Sequence, residues 1–234
     1  MIRVERVSKP SRFDRDCRRP GNRWLDANPG RRPKALWAPF TAALAEGFQQ
    51  RCGYSAVLIQ NGTVDHFLSW KNRPELTYEW SNYRYADHRL NAKKQNIDDA
   101  IVDPYEVGDD WFEILLPSLQ MRVTDRVPSR MRKRAELTLR RLGLDHDERI
   151  VAYRAEWWRL FHCGLPLENM REAAPLLARA IERDGVTPDP KLFPTPPPRR
   201  PRGGNRSPAS TTRQRSPSAA APTTSRRGRS RKST

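Results

Sequence analysis

The sequence predicts an α+β fold: a small core of two short strands and a helix, embedded in a mainly helical domain, with a disordered C-terminal tail. Three observations predict it. Two short apolar runs flank Asn61-Gly62. Apolar residues recur at helical spacing on both sides of that region. Beyond Asp189 the composition changes abruptly.

The first zone, residues 1–50, reads as an N-terminal helical segment that packs on the core. Phe13, Trp24 and Leu25 stand among charges, and Pro20, Pro29 and Pro33 divide the segment into short helices. From Lys34 to Phe48, apolar residues fall at Leu36, Phe40, Leu44 and Phe48. A repeat of four is a helical stripe, and Pro39 is tolerated within a first turn.

The second zone, residues 51–110, holds the strands. Ala56-Val-Leu-Ile-Gln and Thr63-Val-Asp-His-Phe are short apolar runs, and Asn61-Gly62 between them signals a hairpin, because both residues tolerate positive φ. A polar loop with Pro74 follows, then Tyr78-Glu-Trp-Ser-Asn-Tyr-Arg-Tyr-Ala, then a short helix from His88 to Gln95.

The third zone, residues 111–189, reads as a helical subdomain. Ser129 caps a helix through Leu142 that Gly143 ends; a second runs from Arg149 to Cys163, ended by Gly164; a third runs from Glu168 to Asp184, ended by Gly185. Their apolar stripes, Trp157-Trp158 included, are core faces. Residues 190–234 form the tail. Pro194, Pro196, Pro197 and Pro198 open a stretch of Pro, Ser, Thr, Ala, Gly and Arg with no aromatic after Phe193. Such a segment buries too little apolar surface to offset its chain entropy.

Charge is unevenly placed. The 234-residue chain carries +17, from 44 Lys and Arg against 27 Asp and Glu. Eleven of the basic residues and none of the acids lie from Arg199 onward, leaving 33 against 27, or +6, for the rest. This balance points to a polyanionic partner, because neutralised phosphates release counterions. Nucleic acid is favoured over a membrane surface, since the tail has no large apolar side chains to insert. The N-terminus, Met1-Ile-Arg-Val-Glu-Arg, lacks an apolar segment of the secretory kind. The cysteines, Cys17, Cys52 and Cys163, are odd in number and far apart. A cytoplasmic setting with free thiols is expected.

Asp65 and His66 stand side by side, followed by Asn82 and then by Asn91 on the short helix. A carboxylate and an amide oxygen are hard ligands suited to Mg²⁺ or Mn²⁺. A histidine takes a proton from water at neutral pH, and lysines and arginines hold phosphates. Strand alternation turns Asp65 and His66 to opposite faces, so they converge only if the strand ends there.

The segment Val64-Asp-His-Phe-Leu through Trp80-Ser-Asn-Tyr to Asn91-Ala-Lys-Lys resembles the core of HNH endonucleases. It is closest to a bacterial branch that runs Asp-His-Phe, Pro-x-Leu, Glu-Trp-x-Asn, then Cys-x-x-Cys-Asn-x-x-Lys. Met1-Ile-Arg-Val-Glu-Arg and Val102-Asp-Pro-Tyr-Glu also resemble this branch, so the likeness covers most of residues 1–185, with the specific motifs confined to 64–94.

The resemblance implies a ββα-metal fold gripping one divalent ion. It makes Asp65 the first metal ligand, His66 the general base and Asn91 the second ligand. Asn82 would hold the His66 loop and imidazole in orientation. Lys71, Arg73, Arg84, Arg89, Lys93 and Lys94 become candidates for phosphate contacts. It favours DNA over RNA as substrate and suggests bacterial defence as the setting. The chain departs from the family where relatives carry two Cys-x-x-Cys pairs: these positions read Cys52-Gly-Tyr-Ser and Asp87-His-Arg-Leu. No structural zinc is expected, with packing by Tyr54, Tyr85 and Leu90 in its place. His88 is read as a polar helix-start residue rather than a substrate or metal contact, and Asp103 as taking a helix-entry or turn role rather than a metal-binding one. One rival is a non-catalytic nucleic-acid-binding protein with a degenerate core. Another is a helical interaction protein whose tail engages an acidic protein.

Overall fold

The computed structural model describes residues 1–116 and 118–193, which lie in the first of two units, residues 1–195 and 196–234. Strands and helices are mixed, as the fold class requires. The tail lies outside the described residues beyond Phe193. Its first residues form a 3-10 turn, Pro190–Leu192, begun by an Asp189 cap.

A π-type turn, Asp14–Arg18, runs directly into α1 (Arg19–Ala27). Pro20 therefore does not divide this segment; it sits in the first turn of α1, where proline is tolerated. The stripe from Leu36 to Phe48 is real, but its helix is shorter than the spacing suggested. A 3-10 turn, Ala38–Phe40, holds Pro39 and leads into α2 (Thr41–Gly47). Phe40, Leu44 and Phe48 are buried around Phe13.

The expected hairpin across Asn61-Gly62 does not form. Residues 56–60 turn back on residues 50–52 instead, through Cys52 N to Val57 O at 3.0 Å and Ile59 N to Gln50 O at 2.9 Å. Strand β1 (Thr63–His66) pairs antiparallel with β2 (Tyr83–Ala86), placing Asp65 opposite Arg84 and His66 opposite Tyr83. Gly62 has a different use from the one its turn chemistry suggested. A Cβ there would lie 2.4 Å from the Tyr85 ring, and its N–H donates to the Tyr85 hydroxyl at 2.9 Å.

One residue after β2, Asp87 caps α3 (His88–Lys94) by accepting from the N–H groups of Arg89 and Leu90. The order strand, strand, helix thus holds, with β2 supplied from residues 83–86.

The third zone contains an unexpected hairpin, β3 (Phe112–Leu115) with β4 (Gln120–Val123). Helix α4 (Ser129–Leu142) ends at Gly143, whose φ of +69° is the left-handed cap expected of it. Ser129 opens that helix without a side-chain cap bond. Helix α5 (Glu148–His162) is capped by Asp147. The single helix expected from Glu168 to Asp184 is two, α6 (Leu167–Ala173) and α7 (Pro175–Arg183). Pro175 disfavours helical geometry in the residue before it, and Ala174 sits at φ −145°.

A two-stranded ribbon is marginal alone, and two apolar clusters hold β1–β2. Val64, Tyr83 and Tyr85 pack with Phe13, Phe40, Leu44 and Phe48. Phe67, Ala86 and Leu90 join the larger cluster with Ile101, Phe112, Leu142, Phe161 and Leu177. Each large apolar side chain so buried contributes about 1.5–3 kcal/mol. The β1–β2–α3 unit is thereby fixed between the N-terminal and C-terminal parts of the chain.

Candidate active site

Strand β1 ends at His66, and one further backbone bond, from Phe67 N–H to the Asn82 carbonyl at 2.8 Å, follows it. Asp65, His66 and Asn91 line one cavity of about 720 Å³.

Asp65 is enclosed and both its oxygens are engaged. The Tyr54 hydroxyl donates to Oδ2 at 2.5 Å, and the Lys94 ammonium lies 3.1 Å from Oδ1. Burial first, then the Asp65 charge, pushes the Tyr54 phenol well above its ordinary value, so it remains a donor. Lys94 lies in the last turn of α3 with no exposed surface, and it also donates to the His66 carbonyl at 2.8 Å. Lys94 is therefore not a surface phosphate contact. It ties Asp65 and the His66 backbone together.

The Nε2 of His66 is 2.9 Å from the Thr77 carbonyl oxygen. A carbonyl only accepts, so Nε2 carries the hydrogen and Nδ1 holds the lone pair. The same carbonyl accepts from the Tyr83 hydroxyl at 2.8 Å. Trp37 and Tyr83 pack edge-on to the imidazole, with centroids 4.5 and 5.0 Å away. This enclosure lowers the His66 pKa below 6.5, against the opposing pull of the Asp65 charge. The ring is neutral at neutral pH.

Asn82 braces the loop that follows His66. Its Oδ1 accepts from Leu68 N–H at 2.8 Å, and its Nδ2 donates to the Leu68 and Leu76 carbonyls at 2.9 and 3.1 Å. The loop half of its expected role is thus present, while the imidazole is oriented by Thr77. Asn91 turns Nδ2 toward the Val64 carbonyl at 3.5 Å, and its Oδ1 has no hydrogen-bond partner among the described residues.

The six cations expected to contact phosphate separate into distinct groups. Lys71 is exposed on the cavity rim. Arg89 is exposed on α3, away from the cavity lining, and Arg73 pairs with Glu75 at 2.5 Å. Lys93 pairs with Asp147 at 2.5 Å, tying α3 to the start of α5. Arg84 leaves the phosphate set as Lys94 does. It is buried in a two-pronged ion pair with Asp103, both contacts at 2.6 Å, with its guanidinium 3.8 Å from the Tyr105 ring centroid. Asp103 also accepts from Tyr105 N–H, the turn role expected of it.

Cys52 Sγ accepts from Asp87 N–H at 3.3 Å. Burial raises the Cys52 thiol pKa. Tyr54, Tyr85 and Leu90 are all buried, and His88 is exposed. The sequence reading missed Arg32, Trp37 and Trp70 on the cavity wall, and the structural parts played by Tyr54 and Thr77. The run Arg31-Arg32-Pro-Lys34 just before Trp37 was the available signal for the first two.

No family model matches the chain, and no curated protein matches it. The site's geometry and the order of its motifs carry the functional reading.

Proposed function

We propose that this chain is an HNH-type, metal-dependent endonuclease that hydrolyses phosphodiester bonds in nucleic acid, with DNA favoured over RNA and a cytoplasmic, bacterial-defence setting. The observation that carries the reading is the meeting of Asp65, His66 and Asn91 on one cavity, with the His66 tautomer set by Thr77. Among the described residues, no helix is long and apolar enough to cross a membrane.

One carboxylate and one amide oxygen on the same cavity wall are hard donors of the kind that suits a divalent ion. A carboxylate has about four lone-pair sites, so Asp65 keeps capacity beyond its bonds to Tyr54 and Lys94. The Asn91 amide oxygen faces no competitor among the described residues. Mg²⁺ keeps several waters and takes about one or two carboxylates, and the cavity has room for that shell. Lys94 offsets the Asp65 charge, so binding should be weak.

Asp65 and Asn91 would hold the ion, whose chemistry is Lewis-acid stabilisation of charge developing on phosphate oxygens. His66 takes the proton of the attacking water at Nδ1 while Nε2–H stays on the Thr77 carbonyl. The imidazolium so formed is favoured by the neighbouring Asp65 charge. Asn82 keeps the loop, and hence the base, in place. Lys71 on the rim meets substrate phosphates, and the basic tail adds affinity without base specificity.

A second reading, a non-catalytic nucleic-acid-binding protein, is favoured by one observation: Lys94 already neutralises the lone carboxylate. Divalent-ion dependence separates the two. Cleavage that chelation abolishes and Mg²⁺ or Mn²⁺ restores supports the nuclease. Salt-sensitive binding of intact plasmid with either ion supports the alternative.

A further inference from the structure

We propose that the cavity beside Asp65 and His66 receives an unpaired nucleotide whose base stacks on Trp70, so that the substrate is single-stranded or locally unpaired DNA rather than intact duplex. This rests on the nuclease reading and specifies its substrate.

Two tryptophans line this cavity, and they differ in kind. Trp37 belongs to the N-terminal apolar cluster and packs against His66. Trp70 is half-buried, yet among the described residues it belongs to neither apolar cluster. A large aromatic ring left at the rim of a polar cavity, without a core to explain it, is a surface prepared for another flat ring.

The loop that carries Trp70 is held in advance. Ser69 N–H donates to Asp98 Oδ1 and the Asn72 amide to Asp98 Oδ2, each at 2.7 Å, while Arg73 N–H returns to the Ser69 carbonyl at 2.8 Å. Asp98 itself adopts φ +49°, a backbone state that a non-glycine residue keeps only where its surroundings enforce it. A platform fixed in this way spends little ordering entropy when a base settles on it.

Charge and size agree. Arg32 and Lys71 are exposed on the same rim, and neither is paired with a carboxylate among the described residues. A cavity of 720 Å³ is of the order that takes a small ligand, about 300–1,000 Å³. A duplex keeps its base faces stacked inside, so a base reaches Trp70 only from a strand that is single or has been opened.

The test measures binding in a chelator, where no cleavage intervenes. Anisotropy of a short labelled oligothymidylate is compared with that of a hairpin duplex, for the full chain, Trp70→Ala and Trp70→Phe. Trp70→Ala should weaken single-strand binding by about tenfold and leave duplex binding within about twofold, the size expected if only phosphate contacts remain. Trp70→Phe should restore most of the loss, which excludes a general folding defect. Equal loss on both ligands, or no loss on either, overturns this inference and leaves the nuclease reading to its own assay. A parent protein that binds neither ligand overturns this inference as well, while the nuclease reading falls only if plasmid stays intact with Mg²⁺ or Mn²⁺.

Discussion

The ammonium of Lys94 lies 3.1 Å from Oδ1 of Asp65, with both side chains enclosed by the fold. Breaking one side of a buried ion pair leaves a charge without compensation, at a cost of about 3–5 kcal/mol. Lys94→Met and Asp65→Asn should each lower unfolding stability by about that amount. The double variant should lose far less than their sum, as denaturant titrations would show. Additive losses would mean that the two charges do not act on one another.

Asn82 both accepts and donates within the same loop, so its two ends are not interchangeable. Asn82→Asp keeps the acceptor for Leu68 N–H but sets an oxygen against the Leu68 and Leu76 carbonyls. The expected cost is about 1–3 kcal/mol for each carbonyl left unpaired. Thermal unfolding should fall accordingly, and cleavage should fall with it because the loop positions His66. An Asn82→Asp protein with parental melting would remove Asn82 from its bracing role.

The cysteines should separate by environment. Burial pushes the Cys17 thiol up to about 12 and raises that of Cys52, whereas Cys163 is exposed. Iodoacetamide at mildly alkaline pH should label Cys163 alone in the folded protein, and all three thiols in denaturant. Mass spectrometry of the native sample that finds Cys17 or Cys52 modified at a comparable rate would contradict the packing described.

Asp147 accepts from Lys93 and from two N–H groups at the start of α5. The Lys93 bond is the first cause that lowers its pKa from 3.8. Because the folded value is depressed, its stabilising contribution is complete above the unfolded value and is lost as pH falls through the folded one. Asp147→Asn should therefore melt lower than the parent at neutral pH, with the gap closing below about pH 4 and shrinking in high salt. The pair is partly exposed, so the neutral-pH gap should be small. A gap that persists unchanged into acid would assign it to something other than the charge.

What the sequence made legible divides along physical lines. Helix ends were readable at Gly143 and Gly164, because left-handed caps select glycine. The Glu168–Asp184 stretch was misread because its apolar stripe continues across Pro175, while the backbone cannot. Residues 112–115 and 120–123 each place buried side chains at alternate positions, a period of two that their sequence carries only over four residues apiece. Asn61-Gly62 misled because the Tyr85 ring, distant in sequence, fills the space over Gly62.

At the site, the placing of Asp65, His66 and Asn91 on one cavity was legible from the order of the motifs that carry the resemblance. Lys94 and Arg84 were not, since a cation's letter does not say whether it reaches phosphate or a buried carboxylate. The Thr77 carbonyl was invisible because any residue supplies one.

The central claim is that His66 acts as a base beside an ion held by Asp65 and Asn91. Its most direct test is the conversion of supercoiled plasmid with Mg²⁺ or Mn²⁺, comparing the parent with a His66→Ala protein shown to melt as the parent does. The account predicts ion-dependent cleavage by the parent and a loss of about 10²–10⁴-fold in the variant, the range typical of removing a general base. Parental cleavage rates in His66→Ala, or intact plasmid in both samples despite salt-sensitive binding, would contradict it.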